Sequence, residues 1–72
     1  MNDELYMIID TIYESEEAFN INQLESIIEI NLFDLKIYLD YLIEKNIINL
    51  VDGKYITRID YDTAIKLIEK GM

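Results

Sequence analysis

The side chains that could do chemistry are few, and none has the neighbours it would need. The two serines, Ser15 and Ser26, would require a general base, and the chain has no His to supply one. Neither sits in the small-residue elbow that exposes a nucleophile. Cys is absent too, which removes thiolate nucleophiles, disulfides and the sulfur half of zinc chemistry. Glu14 and Glu17 form a carboxylate pair, but an exposed turn offers no cleft to raise a pKa for acid–base work. Asp60 and Asp62 are spaced as at the start of a calcium loop without its remaining ligands, so helix capping suits them better. Gly53 and Gly71 alone cannot build a phosphate-cradling loop. The expectation is a protein with no catalytic residue, cofactor, metal or small-molecule substrate.

Charge is the more informative feature. The net charge of −9 is carried wholly by the first half of the chain. Residues 1–35 hold nine acids and no Lys or Arg, whereas residues 36–72 hold six of each sign. Such a field repels nucleic acid from the first half and attracts basic surfaces to it. With 51% hydrophobic residues, fifteen of them Ile, and no Pro, the chain can form one small core and is poorly suited to disorder. A single domain over residues 1–72 is expected. No apolar run reaches the ~18 residues of a membrane span. The acidic start, Met1-Asn2-Asp3-Glu4, is unlike a targeting segment, so a cytoplasmic location is expected.

Apolar spacing places the elements that would position these groups. Leu5, Ile8, Ile9 and Ile12 predict a helix over about 3–14, capped by Asn2 or Asp3. Phe19 and Ile21 read as core anchors in a short connection. A second helix is predicted over 22–29, with Asn22 as cap, Glu25 completing a capping box, and Leu24, Ile27 and Ile28 as its apolar stripe. After a turn at Ile30-Asn31, Asn31 caps a third helix over about 32–45. Leu35, Leu39 and Leu42 face inward, and Asn46 ends the helix in a left-handed conformation.

The period changes over about 48–58. Asp52-Gly53 between β-prone runs predicts a two-residue hairpin turn, pairing Val51 with Lys54 and Leu50 with Tyr55. Leu50 and Tyr55 share the expected core face, and Val51 and Ile56 the other. A last helix over 61–70 is capped by Asp60 or Asp62, lined by Ala64, Ile65 and Ile68, and closed by Gly71.

This order resembles the winged helix-turn-helix superfamily over nearly the whole chain. The likeness rests on Leu24-Glu25-Ser26-Ile27-Ile28-Glu29-Ile30-Asn31, on Leu35, Leu39 and Leu42, on Asn46-Ile47-Ile48, and on Asp52-Gly53-Lys54-Tyr55-Ile56-Thr57 as the wing. The resemblance implies an α+β fold: a three-helix core, a two-stranded wing and a C-terminal helix. It also implies DNA binding by the third helix and the wing. Lys36, Lys54 and Arg58 are the residues that would touch DNA, in a dimeric transcriptional regulator.

The outward positions of the third helix depart from that implication. A groove-reading helix favours Arg, Lys, Asn, Gln or Ser. Here Leu32, Phe33, Lys36, Ile37, Asp40, Tyr41 and Glu44 stand instead. A few scattered cations against −9 make a weak footprint for phosphate. Phe33, Ile37 and Tyr41, spaced i, i+4, i+8, have the composition of a protein-binding edge, or they pack on neighbouring elements. Glu14, Glu16 and Glu17 form either a solvated face or a dock for a basic partner surface. Tyr6 and Tyr13 form a homodimer face or cover the core edge. The leading expectation is therefore a non-catalytic protein-interaction module, a small acidic regulator or inhibitor of nucleic-acid-handling machinery. The Ile-, Asn- and Lys-rich usage accords with the AT-rich genomes of phages and mobile elements.

Overall fold

The computed structural model describes residues 3–71. Helix α1 spans Asp3–Glu14 and buries Leu5, Ile8, Ile9 and Ile12, the four positions its spacing selected. Of its two expected caps, Asn2 lies outside the described residues, and Asp3 is already helical.

Helix α2 spans Ile21–Ile28, and its cap differs from the expected one. Asn20, not Asn22, has the extended backbone of a cap. The Gln23 amide donates to Asn20 Oδ1 at 2.8 Å, and the Asn20 amide donates to Gln23 Oε1 at 2.9 Å. Asn20/Gln23 and Asn22/Glu25 have the same three-residue spacing. The earlier pair starts the helix with Ile21 packed against the core. The helix ends with Glu29 in a left-handed conformation, its amide donating to Glu25 O at 3.0 Å. Leu24 and Ile28 are buried as expected, but Ile27 is 52% exposed. Its place is taken by Ile30, which was expected only in the turn and is buried.

Asn31 caps helix α3, Leu32–Glu44, accepting from the Asp34 amide at 2.9 Å. Leu35, Leu39 and Leu42 are wholly buried, and α3 packs on α2. Asn46 turns the chain out of the helix at φ 63°, as its type and position predict.

Strands β1 (Ile48–Val51) and β2 (Lys54–Thr57) form an antiparallel hairpin in the expected register, Val51 opposite Lys54 and Leu50 opposite Tyr55. Asp52 and Gly53 both have positive φ, 51° and 77°, which a two-residue turn with right-twisted strands demands. The core face of the hairpin is shorter than expected. Tyr55 and Ile48 are buried, but Leu50 is 48% exposed. Leu50 and Tyr55 stand directly opposite each other, but Tyr55 lies on β2, which is flanked by β1 and by Phe19, whereas Leu50 lies on β1 at the open edge of the pair.

Phe19 forms a single antiparallel bridge with Tyr55, whose amide donates to Phe19 O at 2.8 Å. The connection between α1 and α2 is thus pinned to the outer side of β2 at this one position. Helix α4 spans Tyr61–Gly71 and buries Ala64 and Ile68. Asp60 caps it: the Thr63 hydroxyl donates to Asp60 Oδ1 and the Thr63 amide to Oδ2. Gly71 is the last helical residue rather than a left-handed cap. A Cβ there would meet Tyr41 Oη and Lys45 Nζ, each at 3.3 Å, so glycine leaves room for these side chains from the end of α3 and its cap. The architecture is α+β: among the described residues, four helices and one two-stranded antiparallel sheet surround a core in which every buried residue is apolar.

Candidate functional site

Helix α3 presents its apolar edge on successive turns. Leu35, Leu39 and Leu42 take the inward positions, so Phe33, Ile37 and Tyr41, each two places from one of them, point away from that stripe. Phe33 is 77% exposed and Ile37 54%. Tyr41, one turn further on, is half-buried against the core beside the end of α4, and the Lys45 ammonium stands 5.7 Å from its ring centroid. The structure therefore leaves Phe33 and Ile37 together as open apolar surface and engages Tyr41 at their border. Leu32 adds to the exposed set at the start of the helix.

The hairpin contributes apolar surface that sequence reasoning did not assign to a site. Leu50, Val51 and Ile56 are all exposed large apolar residues. The signal was present for Val51 and Ile56, which the register places on a face with nothing assigned to cover it. For Leu50 no local signal existed, because its alternation is that of a core position.

The cations are scattered. Lys36 on α3 and Lys54 at the hairpin turn are exposed. Arg58 is exposed too, and its guanidinium donates to Asn46 Oδ1 at 3.3 Å, which ties it to the end of α3. The acids Glu14, Glu16 and Glu17 are exposed at and just beyond the end of α1.

The tyrosines of α1 sit at the core edge. Tyr6 is half-buried, and its hydroxyl is enclosed with no hydrogen-bond partner among the described residues. Tyr13 donates to Ile59 O at 2.8 Å and meets Tyr61 edge to face, with centroids 5.6 Å apart and planes at 79°. Burial, followed by the nearby charge of Asp60, raises the Tyr13 pKa above 10.0. Tyr61 in turn donates to Asp10 Oδ1 at 2.7 Å. These residues surround a notch of about 400 Å³ lined by Asp10, Tyr13, Glu14 and Tyr61. The pairing of Tyr61 with Asp10 joins residues from opposite ends of the chain, and no motif in the sequence signals it.

For acid–base or metal chemistry the arrangement offers little. The pKa of Asp60 is lowered, first by the hydrogen bond from the Thr63 side chain, which is the wrong direction for a general acid near neutral pH. Among the described residues no three His, Cys, Asp or Glu side chains are grouped to hold a metal ion. No helix among them is long and apolar enough to cross a membrane. No protein-family model, curated protein or solved structure matches this chain.

Proposed function

We propose that this chain is a winged helix-turn-helix module that works without catalysis, binding a protein partner through the Phe33–Ile37 edge of α3. The observation that carries the reading is that edge: two large apolar side chains on successive turns, 77% and 54% exposed, where a nucleic-acid reader needs donors. Exposed aromatic and aliphatic groups ringed by charge are the composition of interface centres. Lys36, Asp40 and Glu44 supply the polar rim, and Tyr41 borders it. The acidic first half, with Glu14, Glu16 and Glu17 at the surface, favours a partner with a basic face. A cytoplasmic regulator or inhibitor of nucleic-acid-handling proteins fits both features.

A second reading, a dimeric DNA-binding regulator, is favoured by the exposure of Lys54 at the hairpin turn and of Lys36 on α3. The two readings separate in one pair of measurements. Protein captured by the wild type should be lost with a Phe33→Ala/Ile37→Ala variant of unchanged fold; retention of the captured protein rejects the edge. A random duplex pool should not bind at about 50 mM salt. Binding that weakens steeply by about 200 mM would restore the DNA reading.

A further inference from the structure

The notch between α1 and α4 has chemistry of its own. Tyr13 and Tyr61 meet nearly at right angles, so their rings form an aromatic corner rather than a flat wall. The hydrogen bond from Tyr61 to Asp10 Oδ1 fixes that corner and does not engage the second oxygen of the carboxylate. Glu14, one helical turn after Asp10, stands exposed on the rim. Asp10, Asp62 and Glu14 all act electrostatically on the Tyr61 phenol. The acids surround the rings without converging, since no metal-holding group forms among the described residues. Residues 1–35, which supply Asp10, Tyr13 and Glu14, carry no basic side chain at all.

We propose that this notch receives an arginine side chain of the partner protein. A guanidinium is flat and diffuse: it stacks on an aromatic face while its edge donates to carboxylates. The aromatic corner supplies the face, and Asp10 and Glu14 supply the acceptors. A lysine ammonium would gain the charge attraction but not the stacked, forked geometry. The proposal rests on the protein-partner reading only for the source of the arginine. It shares no residue with the Phe33–Ile37 edge, so it names a second point of contact.

The test is an NMR titration of the full chain with N-acetyl-arginine amide, alongside its lysine and citrulline counterparts at matched ionic strength. The arginine probe should shift the Tyr13 and Tyr61 ring signals saturably. The lysine probe should bind severalfold more weakly, because an ammonium lacks the planar stacking face and the forked donors. The neutral citrulline probe should leave these signals unmoved. Tyr61→Leu should abolish the response, its fold checked by the amide spectrum. Glu14→Gln, at an exposed position, should weaken binding severalfold and serves if Tyr61→Leu does not fold. Equal response to citrulline or lysine overturns the proposal, as does unchanged affinity in Glu14→Gln. Phe33→Ala/Ile37→Ala should bind the arginine probe like the wild type. If that variant also keeps its captured partner, the α3 reading falls while the notch stands on its own titration.

Discussion

The Tyr13 hydroxyl donates a 2.8 Å hydrogen bond to the Ile59 carbonyl, joining the end of α1 to the chain just before α4. Forty-six positions separate the two residues, so the bond closes the fold rather than a local turn. Tyr13→Phe keeps the ring against Tyr61 but leaves the Ile59 carbonyl without this donor. A loss of about 1 kcal/mol is expected, since an intramolecular hydrogen bond is worth ~0.5–1.5 kcal/mol net. Urea unfolding of the two proteins measures it; an unchanged midpoint would show that water replaces the phenol freely.

Alkaline pH should weaken the fold through three tyrosines. Tyr13 and Tyr55 have pKa values raised mainly by burial, with Asp60 and Asp40 respectively adding repulsion, and Tyr61 is raised first by its bond to Asp10. A raised folded pKa means the native state holds the proton more tightly than the unfolded chain. The associated stability is therefore complete below the ordinary value of 10.0 and is lost as pH climbs through the folded values. Asp60 runs the other way. Its lowered pKa adds stability above 3.8 that disappears as pH falls through the folded value. The urea midpoint should decline at both extremes, and Tyr13→Phe should flatten the alkaline limb.

Tyr6 makes the opposite prediction to Tyr13. Its hydroxyl is enclosed without a partner among the described residues, and a buried unsatisfied polar group costs ~1–3 kcal/mol. Tyr6→Phe removes only that oxygen and should raise stability by about 1 kcal/mol. A destabilised variant would reveal that the hydroxyl has a partner in solution, such as an ordered water.

The cap of α2 can be checked by comparing two asparagines. Asn20→Ala removes one half of the capping box and should cost about 1 kcal/mol. Asn22→Ala alters an exposed position inside the helix and should change stability by less than about 0.5 kcal/mol. Reversal of this order in thermal or urea unfolding would move the start of the helix back to the position that spacing alone suggested.

That ambiguity at α2 shows where the sequence stopped being decisive. Two Asn/Gln-or-Glu pairs with identical spacing both satisfy the local rule, and only the packing of Ile21 against the core selects the earlier one. By contrast, α1, α3 and the hairpin register were legible because each rests on short-range chemistry: apolar spacing of 3.6, Asn31 as a cap, and the positive φ that Asp52-Gly53 accepts. Arg58 and Tyr41 were legible as types but not as partners, since their contacts with Asn46 and the end of α4 depend on how the elements dock.

The sequence by itself determined the element order, the inward stripe of α3, the hairpin pairing, the uneven charge and the absence of His and Cys. Those properties follow from residue type and from neighbours a few positions away. Tertiary structure decided which apolar residues remain open. Ile27 and Leu50 carry core-like spacing and yet face solvent, because burial depends on whether another element lies opposite, and none does at those positions. It also decided the Phe19–Tyr55 bridge and the Asp10–Tyr61 contact, the second spanning fifty-one positions. Contacts of that range form only when α1, β2 and α4 close on one core, which no local pattern encodes.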